Sequence, residues 1–335
     1  MTLLLDLEHP EQIDRVIKCF KIDEPVALPT ETVYGLAAPL NNERAIAKVY
    51  KLKARPYFNP LIVHVLDWEQ AMRYLDNPPS MAQKLAEKFW PGPLTLLLKK
   101  NSRVPDLCTN ASPWVAVRAP KHPHFRTILH RLNSPLVAPS ANRYTQVSTV
   151  TAQDVIEELG PFGLEAVVEG GRSELGMEST IVQVLNENEI QLLRPGALSL
   201  ESIKRFLGEG IKIYSTKKSE ENLSPGQAAK HYSPKIPTFF IETQNDLMDI
   251  AHLDFSKSTL LRVFKKDAPW IDAKNFGKEF ILSPENSDLM AATRLYRCLR
   301  DLESSNTNNI IAIKSADDGL GLAINDRLRR AAGRG

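Results

Sequence analysis

Apolar positions recur along this chain at two spacings, and the switching between them sets the first expectations. From Glu11 to about Ile203, short β-branched or apolar runs alternate with stretches whose apolar residues return every three to four positions. That is the pattern of strands packed under amphipathic helices, an α/β fold. The runs predict strands at Val26–Leu28, Leu61–Val65, Leu94–Leu98, Val115–Arg118, Leu136–Ala138, Ala166–Val168, Thr180–Leu185 and Gln191–Leu193. The longer period predicts helices at Glu11–Phe20, Glu43–Leu52, Met81–Phe89, His124–Leu132, Ala152–Leu159 and Glu201–Leu207. Several late strands follow one another too closely for helical crossovers, so the sheet is expected to mix parallel and antiparallel pairs.

Between Gly210 and Lys235 the periodicity fails, and the polar stretch Ser215–Leu223 runs into Ser224-Pro225-Gly226 and Ser233-Pro234. This reads as a linker. A second αβ pattern follows, with strands expected near Thr238–Ile241, Thr259–Val263, Phe280–Ser283 and Ile310–Ile313 and a long helix over Asp288–Glu303. Gly319-Leu320-Gly321-Leu322-Ala323 starts like a dinucleotide-binding loop but has Ile324 where a third small residue belongs, so it reads as a tight strand-to-helix turn. The expected division is a catalytic-sized unit over 1–210, a linker over 211–235 and a smaller three-layer α/β domain, Rossmann-like, over 236–335.

Composition agrees with two domains: 335 residues, 43% of them hydrophobic, suffice for more than one core. The formal net charge of +2 gives no whole-surface field for polyanions, so any nucleic-acid connection must come from a site. Cys19, Cys108 and Cys298 are widely spaced and lack metal-ligand or disulfide patterning, which suggests a reducing, cytoplasmic setting. No basic leader with an apolar core opens the sequence, and no run approaches the ~18 apolar residues of a membrane span.

No phosphate loop of the GxxxxGK[ST] type, HExxH, GxSxG or kinase catalytic loop occurs. Candidate chemistry lies instead where expected strands end. Pro29-Thr30-Glu31-Thr32-Val33-Tyr34-Gly35-Leu36 carries hydroxyls, a carboxylate and a phenol, suited either to orienting a small polar substrate or to capping a helix. Lys53 and Arg55 flank one residue beside a helix end, either converging on phosphate oxygens or forming a solvated basic terminus. His64 interrupts an apolar strand, as a core histidine or a ligand. Arg118 ends another apolar strand and needs an anion, from the chain or from a substrate. Ser140 and Asn142 follow a third strand, and Gly170-Gly171-Arg172, Gly176, Glu178-Ser179 and Arg194-Pro195-Gly196 complete the set. Convergence of Lys53, Arg55, Arg118, Arg172 and Arg194 would make an anion-binding cleft.

These segments resemble, in order, the motifs of the threonylcarbamoyl-AMP synthase family built on a YrdC-like domain, in its longer two-domain form. The matching stretches are PTETVYGL at 29–36, KARPYFNPLIVHV at 53–65, FWPGPLTLLL at 89–98, VAVRAP at 115–120, APSAN at 138–142, ESTIV at 178–182 and LLRPGA at 192–197. SPGQAAKHYSP at 224–234 and GLGLAINDRLRRAA at 319–332 are similar to the linker and tail of the longer members. The resemblance implies a twisted mixed sheet and a smaller C-terminal α/β domain. It implies that Thr32, His64, Arg118, Ala138 and Ser179 contact L-threonine, Arg118 through the carboxylate. It further implies that Lys53, Arg55, Asn59, Ser140, Asn142, Ser148, Arg194 and Tyr232 surround ATP, with Lys53 and Arg55 as the catalytic cations and the linker folded over the site. Trp114 departs from the family pattern, which commonly has threonine there, and is left out of the site.

The implied reaction joins L-threonine, bicarbonate and ATP, with Mg²⁺ arriving on the nucleotide and no protein-borne metal site. Its product would pass to a downstream tRNA threonylcarbamoyl transferase, with contact to tRNA itself indirect or weak. Two other readings stand beside it. One is an RNA-binding or ribosome-associated factor without ATP turnover; the other is a carbamoyl-transfer enzyme of metallocentre maturation, which lacks its expected cysteine pairs here.

Overall fold

The computed structural model describes residues 1–215 and 231–334. Two compact units are present. The first holds Met1–Tyr144, Ser148–Glu174 and the described residues from Glu178 to Ser215; the second holds Thr145–Val147, Leu175–Met177 and the described residues from His231 onward.

In the first unit the described strands are β1 (Leu3–Leu5), β2 (Val26–Leu28), β3 (Gly35–Pro39), β4 (Ile62–His64), β5 (Leu94–Lys99), β6 (Trp114–Arg118), β7 (Leu136–Val137), β8 (Ala166–Val168), β9 (Thr180–Val184), β10 (Glu189–Arg194) and β11 (Lys212–Ser215). They form one sheet in the order β1-β8-β2-β3-β7-β4-β6-β5-β9-β10-β11. Parallel pairs such as β4·β6 and β5·β9 are interleaved with antiparallel pairs such as β3·β7 and β5·β6, so the sheet is mixed, as the spacing of the late strands predicted. Helices Pro10–Lys21 and Pro123–Leu132 lay Val16, Phe20, Phe125, Ile128 and Leu129 onto Leu5, Val26, Leu28, Leu136 and Val168, closing one core cluster. Burial of such side chains at about 1.5–3 kcal/mol each is the main force holding the strand ends in place.

Three strands escaped the sequence reading. Leu3–Leu5 pairs in parallel with Ala166–Val168 at one edge of the sheet. Gly35–Pro39 returns antiparallel to Val26–Leu28, so Pro29–Tyr34 is the connection of a hairpin and not a helix start. Lys212–Ser215, expected in the linker, pairs in parallel with Glu189–Leu192 at the opposite edge. Residues 216–230 of the expected linker lie outside the described residues.

In the second unit β12 (Thr238–Ile241), β13 (Ser258–Arg262), β14 (Lys278–Ile281) and β15 (Asn309–Ile313) form an all-parallel sheet in the order β12-β15-β13-β14. Ile241, Leu260, Ile311 and Ile313 face one buried cluster, while the alternating Phe240, Leu261, Ile310 and Ala312 are buried on the other face. A parallel sheet buried on both faces needs helices on both, the three-layer arrangement expected from the sequence. The turn at Gly319, in the left-handed region at φ 52°, opens helix Gly321–Ala331. A Cβ on Gly321 would lie 2.1 Å from the Ala316 carbonyl oxygen, so its glycine serves close backbone packing.

Candidate functional site

The site is built from the ends of β2, β4, β6, β7 and β9 in the first unit. Its loops are tied by backbone bonds: Leu36 N–H donates to Pro139 O at 2.7 Å, Ala141 N–H to Tyr34 O at 2.8 Å, Tyr34 N–H to Thr149 O at 2.9 Å and Tyr144 N–H to Lys53 O at 2.7 Å. Four motifs spread over more than a hundred residues therefore share one hydrogen-bonded frame.

β4 and β6 run parallel with His64 in register with Arg118. Arg118 is 3% exposed, and it donates from Nη2 to Glu31 Oε1 at 2.7 Å and from Nε to Gly92 O at 3.2 Å. The other Glu31 oxygen accepts the Lys121 N–H at 2.9 Å. Nη1 of Arg118 makes no hydrogen bond among the described residues, so one edge of the guanidinium fork is open. Beside it His64 is buried with an unpartnered Nδ1. Desolvation, reinforced by the Arg118 charge and only partly offset by the Ile62 and Leu136 carbonyls, pushes the imidazole down to about 3, so it is neutral at physiological pH. A buried unpaired donor or acceptor is costly unless a ligand meets it.

The turn after β2 has a defined proton order. Thr30 Oγ1 donates to Val33 O at 2.6 Å and accepts the Thr32 and Val33 N–H groups at 3.1 and 3.2 Å. With its one proton committed, it must accept from Thr32 Oγ1, 2.8 Å away. Thr32 thus keeps oxygen lone pairs for an incoming donor.

On the other side, helix Glu43–Lys53 ends with Ala54 in the left-handed region at φ 48°, turning Lys53 and Arg55 inward together. Lys53 is 1% exposed and donates from Nζ to the carbonyl oxygens of Ser140 and Asn142. Burial first, and then the neighbouring Arg55 charge, holds its ammonium well below the ordinary lysine value. Arg55 donates from Nε to Asn59 O at 3.1 Å and from Nη2 to Asn59 Oδ1 and Pro60 O at 2.7 and 2.8 Å. Asn59 Nδ2 reaches Tyr144 OH at 3.3 Å.

A third cluster lies at β5, β9 and β10. Arg194 donates from Nη2 to Ser179 O and Oγ at 2.8 and 3.1 Å, Thr95 and Ser179 share a hydroxyl contact of 2.7 Å, and Ser148 Oγ donates to Glu178 Oε1 at 2.6 Å. A Cβ on Gly196 would come within 2.4 Å of Glu178 O and 2.6 Å of Ser179 O. Gly196→Ala is therefore expected to push this turn off Ser179, costing about 1–3 kcal/mol of stability by overpacking. Denaturant unfolding checks the loss, and an unchanged midpoint would show that the turn yields freely.

Of the expected cations, Lys53, Arg55, Arg118 and Arg194 are buried along this frame, whereas Arg172 is exposed on the surface. Ala138 donates its N–H to Ile62 O at 3.2 Å and turns its methyl into the core. Tyr232 belongs to the second unit, buried with its ring stacked on Tyr296 at 5.7 Å and the Arg327 guanidinium 4.9 Å from its centroid. Trp114, partly buried, packs against the core cluster of Ile62, Leu97, Ala116, Ile181 and Leu193. Sequence reasoning singled out the segments that carry Thr30, Glu31 and Glu178 but assigned these three side chains no partners, and it missed Thr95, whose hydroxyl inside an apolar strand is a local sign like that of His64.

A mixed α/β unit with buried cations at its strand ends, joined in one chain to a parallel α/β unit, defines the class. Residues 18–196 match the family model described as telomere recombination (Sua5_yciO_yrdC), and residues 198–333 match that of the threonylcarbamoyl-AMP synthase C-terminal domain. The threonylcarbamoyl-AMP synthase of Pyrococcus abyssi is 34% identical over 317 residues, 92% of this chain and 90% of its own. That of Bacillus subtilis is 32% identical over 332 residues, covering 96% and 93%. A structure of P. abyssi Sua5 complexed with L-threonine superposes with a TM-score of 0.84 at 30% identity, covering 100% of this chain and 98% of the other. This chain belongs to the threonylcarbamoyl-AMP synthase family. Among the described residues no helix is long and apolar enough to cross a membrane.

Proposed function

We propose that this protein is an L-threonylcarbamoyladenylate synthase, a nucleotidyltransferase. It converts L-threonine, bicarbonate and ATP to threonylcarbamoyl-AMP and pyrophosphate, supplying the group for N6-threonylcarbamoyladenosine beside tRNA anticodons. The observation that carries the reading is the open Nη1 edge of buried Arg118 beside the neutral His64 with its unpartnered Nδ1, on a frame shared with Lys53 and Arg55. L-Threonine places its carboxylate on Arg118, its amine toward the Thr32 lone pairs and its hydroxyl within reach of His64 and Ser179, with Ala138 backbone alongside. ATP lies among Lys53, Arg55, Asn59, Ser140, Asn142, Ser148 and Arg194.

The amine lone pair attacks the carbon of bicarbonate or CO2, giving a carbamate and, from bicarbonate, water. A carbamate oxygen then attacks the α-phosphorus of ATP and pyrophosphate leaves. Charge accumulates on the phosphoryl oxygens throughout, and fixed cations such as Lys53 and Arg55 neutralise it without reorganising. Positioning the two reactants replaces a strong base as the main source of rate. Mg²⁺ arrives on the ATP phosphates. The product passes to a downstream tRNA-modifying transferase in the cytoplasm.

The test is pyrophosphate release by the purified protein with ATP, Mg²⁺ and bicarbonate, comparing L-threonine, L-serine and no amino acid. Threonine-dependent release is expected. Release independent of amino acid, or none at all, would overturn the reading.

A further inference from the structure

Resting on the synthase reading, we propose that Glu31 determines specificity in the amino-acid site: paired with Arg118, it makes the site prefer a zwitterion to a simple carboxylate. Both side chains are buried, 4% and 3% exposed, and their contact is 2.7 Å. Moving two charges out of water costs more than a pair usually returns, so such a pair in a binding site points to function. If Arg118 had only to capture a carboxylate, an unpaired guanidinium would bind it more strongly. Glu31 removes that excess attraction in advance.

The geometry leaves the pair incomplete on one side. Glu31 spends Oε1 on Arg118 Nη2 and Oε2 on the Lys121 N–H, so its position is locked from both oxygens. Arg118 is held by Glu31 and by Gly92 O, with Nη1 open. A carboxylate on Nη1 sits close enough to Glu31 to be repelled by it. An ammonium two bonds from that carboxylate carbon cancels the repulsion, and the acceptor lone pairs of Thr32, next in sequence to Glu31, receive its protons. His64 adds no charge of its own, being neutral. Four alternating charges, two from the protein and two from the ligand, are then mutually satisfied. An acid lacking the amine leaves two negative groups facing one cation. Glu31 touches Arg118 and the Lys121 backbone, and acts on the ligand through Arg118 and through its field; it is a positioning residue.

The experiment compares L-threonine with (R)-3-hydroxybutyrate, the same carbon skeleton without the amine, used as a competitive inhibitor of threonine-dependent pyrophosphate release. In the wild type the acid is expected to inhibit at least about tenfold more weakly than L-threonine binds. In Glu31→Gln the KM for L-threonine should rise roughly tenfold while Ki for the acid falls by a similar factor, the scale of one close charge contact. The KM for ATP should stay unchanged and serves as the folding control. Opposite movement of the two ligands is what a merely structural role cannot produce. Parallel weakening of both, or no change in either, overturns the proposal. If the variant fails to fold, equal affinity of the wild type for acid and amino acid overturns it alone. Absence of threonine-dependent release in the wild type would instead reject the synthase reading.

Discussion

Arg118→Ala is expected to lower kcat/KM for L-threonine by at least about a hundredfold, with the KM for ATP nearly unmoved. A charge-assisted carboxylate contact in a desolvated site is worth about 3 kcal/mol or more, and each 1.36 kcal/mol is tenfold. The same substitution also strands Glu31, 3% exposed, without its cation. Breaking a buried pair from one side costs about 3–5 kcal/mol, so stability must be followed alongside activity to tell unfolding from lost substrate binding. The double variant Glu31→Gln, Arg118→Ala separates the two effects. It should recover most of the lost stability in denaturant unfolding, because no buried charge is left unpaired, and recover none of the threonine affinity. Recovery of both, or full activity in Arg118→Ala, would remove Arg118 from the substrate site.

Much of this architecture was legible because it rests on local patterns. Ala166–Val168, Thr238–Ile241 and helices Ala152–Leu159 and Asp288–Glu303 have the predicted bounds, each being a run whose apolar period is undisturbed. Polar groups at the ends of such runs, His64, Arg118 and Lys53, were conspicuous because burial there demands a partner. What escaped notice depends on partners distant in sequence. Gly35–Pro39 has glycine and proline at its two ends and two alanines between, and becomes a strand through pairing with Val26–Leu28 and with Leu136–Val137. Lys212–Ser215 is partly or fully exposed throughout, so no apolar period marks it; its strand is specified by the edge of β10. Trp68–Met72 is a five-residue helix capped by Asp67, too short for a helical period to register. Glu31 meets Arg118 across 87 residues of chain, and no spacing rule connects them. The candidate groups were therefore readable from the elements that carry them, while the contacts that orient those groups became visible only in the fold.

Lys53 gives the second large effect, through its proton. A neutral amine has two hydrogens, and Lys53 Nζ makes two hydrogen bonds, to the Ser140 and Asn142 carbonyls. Burial and the Arg55 charge hold its ammonium well below the ordinary lysine value, so the charged form loses ground to the neutral one as pH rises, earlier than in free lysine. An ATP phosphate arriving beside it reverses the balance. The anion stabilises the charged form, raises the Lys53 pKa and calls for a third hydrogen to point at phosphate. ATP binding should accordingly take up protons on the alkaline side, measurable by calorimetry in two buffers of different ionisation enthalpy. The sign follows from the direction of the shift: affinity for ATP falls as pH rises through the depressed free-protein pKa and is fully present below it. Lys53→Arg keeps the charge at every accessible pH, so its proton uptake and its alkaline loss of affinity should both vanish. Lys53→Met, which offers no cation, should weaken ATP binding by more than tenfold below the depressed Lys53 pKa, the scale of one desolvated charge contact, with the difference from wild type narrowing as pH rises above it. An alkaline limb that survives in Lys53→Arg would place the titrating group elsewhere and leave Lys53 as a tie between its helix and the Ser140–Asn142 loop.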